Sequence, residues 1–157
     1  MNKSWIANGF TAANALFGGL SIMMSISGEY HVAAICILIA MAADAFDGRV
    51  ARALGTAGPM GVELDSLSDD ISFGVAAGAL MYSYQLRELG AFGFIPCALL
   101  GAFCAFRLAR FNVKVTSVHG YFEGLPCPTV GVIIACYVLS GVKIWNWLAM
   151  VCVLALA

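Results

Sequence analysis

Four aspartates, Asp44, Asp47, Asp65 and Asp69, sit at helical spacing inside a chain that is 62% apolar and only 11% charged. A carboxylate at membrane depth is expensive and persists where it does chemistry or binds an ion. The aspartates belong to one longer pattern, D-x-x-D-G-x-x-A-R-x8-G-x-x-x-D-x-x-x-D, completed by Gly48, Ala51, Arg52 and Gly61. Six of the nine acidic residues, Asp44, Asp47, Glu63, Asp65, Asp69 and Asp70, fall in this stretch. Such clustering argues against a purely structural membrane protein.

The apolar content places the chain among integral membrane proteins, since soluble domains carry roughly 25% charged residues. At 157 residues, with about 20 per spanning helix, it has room for five or six spans and no separate soluble domain. The expected architecture is all-α: a polytopic membrane helix bundle of about six transmembrane helices, forming one membrane-embedded domain over residues 1–157. Short polar interruptions set the spans near 8–27, 31–54, 62–85, 90–112, 126–142 and 144–157. The last is short, because about 14 residues at a 1.5 Å rise cover about 21 Å of a 30 Å hydrocarbon core. A helix cut by the C-terminal end is the expectation there. The first apolar stretch lacks a clear small-residue cleavage site and reads as a span rather than a signal peptide.

Lys3, Arg49, Arg52, Arg107, Arg110 and Lys114 fall on one side of this topology, and Arg87 and Lys143 on the other. The richer side is expected to face the cytoplasm, across a cell (inner or cytoplasmic) membrane. A net charge of -1 leaves no broad basic surface for nucleic acid, and none is expected as a partner. Cys36, Cys97, Cys104, Cys127, Cys136 and Cys152 lie in apolar context without a C-x-x-C pair. They read as small buried hydrophobes. His31 and His119 are far apart and form no metal pattern with each other.

Asp44 and Asp47 are three residues apart, Asp65 and Asp69 four, so each pair projects from one face of a helix. Gly55, Gly58 and Pro59 between them mark a tight turn joining two antiparallel helices. The turn brings the two carboxylate pairs face to face. Their mutual repulsion exceeds what Arg49 and Arg52 offset, and bound divalent cations resolve it. An all-oxygen donor set favours Mg²⁺ or Mn²⁺ over zinc, with two ions expected. Gly48, Ala51 and Gly61 leave space for a ligand, with close helix packing as their bland alternative. Arg52, about one turn beyond the first pair, is suited to a phosphate oxygen, or else serves as an interfacial anchor.

This pattern resembles the signature of the CDP-alcohol phosphotransferase family, and agrees with it at every defined position, including the gap from Ala53 to Met60. The resemblance implies a six-helix membrane fold, usually a homodimer, that moves a phosphatidyl-type group from a CDP-linked lipid to an alcohol and releases CMP. It implies that Asp44, Asp47 and Asp65 ligate metal, and that Asp69 contacts metal and deprotonates the acceptor hydroxyl. The CDP pocket it implies consists of Asp44, Asp47, Gly48, Ala51, Arg52 and Gly61, with Asn8 and Thr11 of the first helix as further polar contacts.

Outside the signature, N-x-x-T-x-x-N (Asn8, Thr11, Asn14), the stretch from Glu63 to Gly74, R-L-A-R-F-N (Arg107 to Asn112) and Y-F-E-G-L-P-C-P (Tyr121 to Pro128) are similar to the phosphatidylserine synthase branch. That branch takes CDP-diacylglycerol and serine as substrates. Arg107 and Arg110, three apart on one helix, suit the carboxylate of an amino acid, and Asn112 its polar groups. Glu123, Glu63 or Asp70 is available to its ammonium. A phosphate-bearing acceptor would use the same arginines, so glycerol 3-phosphate or inositol phosphate stands as the alternative within this chemistry. A divalent-cation transporter is the alternative outside it, though it leaves the Gly, Ala and Arg positions without a task.

Overall fold

The computed structural model describes residues 4–54, 58–114 and 126–157, with side chains described over 8–50, 58, 60–112 and 126–157. Its order is α1 (Ser4–Ile26), α2 (Tyr30–Leu54), α3 (Pro59–Asp69), a π-helical turn (Asp70–Val75), α4 (Ala76–Tyr84), a 3-10 turn (Leu86–Leu89), α5 (Ala91–Lys114), α6 (Cys127–Leu139) and α7 (Asn146–Leu156). The described secondary structure is all helical, as an apolar chain requires when backbone groups must be satisfied within each segment. Three helices, within α1, α2 and α5, are long and apolar enough to cross a membrane. The chain is an integral membrane protein.

The expected spans map onto these elements with two kinds of difference. The third begins at Pro59 rather than 62 and is not one regular helix: α3, the π-turn and α4 follow one another without a gap from Pro59 to Tyr84. The fifth and sixth are shorter than expected, at 13 residues in α6 and 11 in α7. Ser140 caps α6 and Gly141, with φ of 67°, stops it before Val142 and Lys143, while the extended Trp145 precedes α7.

Local signals explain the boundaries. Gly28, with φ of 85°, closes α1: its N–H bonds to the Ser25 carbonyl, and the Glu29 N–H reaches back to Met24 at 2.9 Å. That pairing is the Schellman arrangement, in which a glycine adopts a left-handed conformation at no steric cost. At the other end of the first hairpin, Gly58 is extended and Pro59 occupies the first turn of α3, where a missing N–H costs nothing. Residues 55–57 of the anticipated turn lie outside the described residues.

α1 packs along α2 and also against α3, the π-turn and α4. The π-turn is the hub of the bundle, touching α1, α3, α4, α5 and α6. Phe73 within it is fully buried, with Gly131 of α6 laid directly on its ring. Around it Ile37, Leu80, Leu86, Val138 and Val153 complete an apolar core. Large apolar side chains also cover the outside, among them Leu16, Ile35, Phe46, Phe94, Phe106 and Leu148, the surface expected against lipid.

At one end of the bundle a polar clamp ties three elements. The buried Gln85 donates through Nε2 to the Ile144 carbonyl at 2.5 Å and to Asn146 Oδ1 at 3.1 Å, while Tyr137 donates its hydroxyl to Gln85 Oε1. Asn146 in turn donates to Glu88 at 3.0 Å. Lys143 lies over the Tyr84 ring, 5.0 Å from its centre. Arg87, Lys143, Trp145 and Trp147 gather at this end, as interfacial residues do.

The cysteine expectation holds in part. Cys36, Cys97, Cys104 and Cys127 are buried, whereas Cys136 and Cys152 lie on the outer faces of α6 and α7. There a thiol behaves as a small apolar group toward lipid.

Candidate metal and nucleotide site

The acidic pairs converge as their spacing predicts. One carboxylate oxygen each from Asp44, Asp47 and Asp65 lies within 4.8 Å of the others. Among the described residues, however, α2 and α3 pack more extensively on α1 than on each other. The first helix is therefore the wall that sets their separation. Phe10 and Phe46, with ring centres 6.3 Å apart, fix α1 against α2 one residue before Asp47.

Polar residues of α1 meet the acids in order along the helix. The Thr11 side chain is hydrogen-bonded to the Asp47 carboxylate. Asn8 faces Gly61, where an added Cβ would lie 4.0 Å from Asn8 Oδ1. That glycine borders open space rather than a tight helix contact, which favours the ligand reading of its small size. Asn14 donates from Nδ2 to Asp69 Oδ1 at 3.0 Å. The period of N-x-x-T-x-x-N puts all three on the face toward the acids. The sequence pattern alone gives Asn14 no role in the site; its three-residue period with Asn8 and Thr11 is the signal that points to one.

Asp69 is buried and its carboxyl touches that of Asp44. It stands beside the three-carboxylate group rather than within it. Its neighbour Asp70 faces the opposite way, toward α5, where its Oδ1 is buried without a hydrogen-bond partner beside Gly74 and Cys104. The two adjacent acids thus serve different faces of the helix.

A divalent cation fits this donor set. Asp47 Oδ2 and Asp65 Oδ1 are both buried with no hydrogen-bond partner. Buried carboxylate oxygens without donors cost free energy that a coordinated cation recovers. Oxygen donors alone, with no thiolate or imidazole among them, suit Mg²⁺ or Mn²⁺.

The residues assigned to an amino-acid acceptor spread over α5. Asn112 donates to Ser66 Oγ at 3.0 Å, directly beside Asp65. Arg107 is half-buried and lines a small cavity with Phe73, Leu100, Cys104, Cys127 and Val130. Arg110 is exposed and has an interaction of its own. Gly48 is half-buried beside Asp47. Ala51 and Arg52 lie in the last turn of α2, with side chains outside the described residues, as are Glu123 and His119.

Comparison with known proteins agrees with this geometry. The family model described as CDP-alcohol phosphatidyltransferase matches residues 4–157. The chain is 38% identical over 133 residues to a CDP-diacylglycerol--serine O-phosphatidyltransferase of Helicobacter pylori, covering 84% of this chain and 56% of that one. It is 40% identical over 130 residues to an archaetidylserine synthase of Methanothermobacter thermautotrophicus, covering 82% and 55%. A CDP-diacylglycerol--serine O-phosphatidyltransferase of Bacillus subtilis is 38% identical over 122 residues, covering 77% and 68%. The chain spans about half the length of the first two of these relatives. With the signature complete, the acids converged and the family model matched almost end to end, the chain belongs to the CDP-alcohol phosphatidyltransferase family.

Proposed function

We propose that this protein transfers the phosphatidyl group of CDP-diacylglycerol to L-serine, giving phosphatidylserine and CMP. The observation that carries the reading is the convergence of Asp44, Asp47 and Asp65, the last two with a buried unpaired oxygen each, beside a separately held Asp69. The relatives' names support serine as acceptor, and they differ in the lipid of the donor.

In this reading Asp44, Asp47 and Asp65 hold one or two Mg²⁺ or Mn²⁺ ions, with Asp69 as a further ligand. The bound cation supplies charge neutralisation for the diphosphate and for the departing CMP. Asn8, Thr11, Gly48, Ala51, Arg52 and Gly61, together with Asp44 and Asp47, form the CDP pocket. Arg107, Arg110 and Asn112 receive the serine, the arginines through its carboxylate. Asp69 accepts the proton of the serine hydroxyl as Oγ bonds to the β-phosphorus. The bond from that phosphorus to the oxygen bridging the two phosphates breaks, and CMP leaves with the electron pair. The family resemblance extends the proposal to a homodimer with its site on the cytoplasmic side.

The test supplies purified protein with CDP-diacylglycerol, Mn²⁺ or Mg²⁺, and serine, glycerol 3-phosphate or inositol phosphate in parallel, and measures CMP. Release stimulated by serine is expected. Stimulation only by another alcohol overturns the acceptor assignment.

A further inference from the structure

Asn14 is fully buried in α1 and uses two groups across the same helix interface. Its side-chain Nδ2 donates to Asp69 Oδ1 at 3.0 Å, and its backbone carbonyl accepts from Ser72 Oγ at 2.9 Å. Ser72, in the π-turn, is itself fully buried against Gly18, where an added Cβ would lie 2.4 Å from Ser72 Oγ. A glycine at that point is what allows α1 and the π-turn to approach so closely.

The carboxamide orientation is determined by this contact. Asn14 Oδ1 is buried without a donor, so only the N–H side of the amide is engaged. The reverse orientation would set oxygen against oxygen. A donor on one oxygen of Asp69 fixes rotation of the carboxylate and presents its second oxygen in one direction. An amide does this without a charge, so it neither neutralises the base nor competes with a cation for the carboxylate, as lysine or arginine in its place would.

We propose that Asn14 is a positioning residue for the transfer reaction: anchored through Ser72, it holds the Asp69 carboxylate in the orientation that takes the acceptor's proton. The proposal rests on the reaction assigned above, and adds a role for the first helix distinct from nucleotide binding. Misplacement of a reacting group by about 1 Å can cost about a hundredfold in rate. Losing the donor should therefore act on turnover and spare binding.

The test compares wild type, Asn14→Leu, Ser72→Ala and Asp69→Asn in detergent, following CMP release, CDP affinity in Mn²⁺ and melting temperature. Asn14→Leu should lower kcat by about tenfold or more, while KM for the lipid and Kd for CDP stay within about twofold. Ser72→Ala, which leaves Asn14 and Asp69 intact, should lower kcat by about threefold with the same unchanged CDP affinity. Unaltered kcat in Asn14→Leu, or a CDP affinity that falls in parallel with kcat, overturns the proposal. If Asn14→Leu fails to fold, unaltered kcat in Ser72→Ala overturns it instead. Wild type that releases no CMP with serine overturns the assigned reaction, whereas an inactive Asp69→Asn beside a fully active Asn14→Leu removes the role of Asn14 alone.

Discussion

Asn112, near the end of α5, donates its amide to Ser66 Oγ at 3.0 Å, one residue beyond Asp65. This bond links the helix that carries Arg107 and Arg110 to the helix that supplies the third carboxylate of the acidic group. Asn112→Ala should raise KM for serine by about threefold to tenfold, the range of one lost hydrogen bond. Ser66→Ala separates the two uses of the amide. If Asn112 acts on the substrate, Ser66→Ala leaves KM for serine near the wild-type value; if it acts by anchoring α3, the two variants match.

The unpaired oxygens of Asp47 and Asp65 give a prediction with a sign change. In metal-free buffer these carboxylates are a burden, so Asp47→Asn or Asp65→Asn should leave the melting temperature equal to or above that of wild type. Adding Mn²⁺ should raise the wild-type value, because a ligand bound only by the folded state stabilises it. The variants should show little of that rise, and their CMP release should fall by about a hundredfold or more. Thermal scans with and without Mn²⁺ read both effects.

Two glycines near the site separate fold from binding. At Gly18 a Cβ would meet Ser72 Oγ at 2.4 Å, whereas at Gly61 it would meet only Asn8 Oδ1, at 4.0 Å. Gly18→Ala should cost about 1–3 kcal/mol of stability through overpacking. Gly61→Leu should leave stability nearly unchanged and weaken CDP binding, since its side chain enters the open space. Denaturation and nucleotide titration on the same samples distinguish them.

The clamp at the opposite end supplies the control. Gln85 is buried and joins Ile144, Asn146 and Tyr137. Gln85→Leu strands these partners and should cost about 1–3 kcal/mol. Its effect on KM for serine and on CDP affinity should be negligible at temperatures where the protein stays folded. A specific loss of nucleotide affinity would contradict the separation of the two ends.

Much of this was legible in the sequence because periodicity and membrane physics act locally. The pairs Asp44 with Asp47 and Asp65 with Asp69 specify faces once their segments are helical, and the glycine-proline turn orders those segments. The π-turn was not legible, since no residue type marks it. It follows from α1, α5 and α6 all packing on one short segment, with Phe73 buried among them. The role of α1 as common wall was hidden for a similar reason: Asn8, Thr11 and Asn14 are polar at helical spacing, but their partners lie far away in the chain. The end of α6 was legible at Ser140 and Gly141, since a glycine just past a helix marks its stop, and the expected boundary at 142 overran it.

The most direct measurement is Mn²⁺ binding by the purified protein with CDP, followed by electron paramagnetic resonance or by anomalous scattering from crystals. Mn²⁺ held by Asp44, Asp47 and Asp65 in wild type, and lost in Asp65→Asn, is the expected result. Manganese that binds equally well to the Asp65→Asn protein, or lies away from these three side chains, would contradict the account.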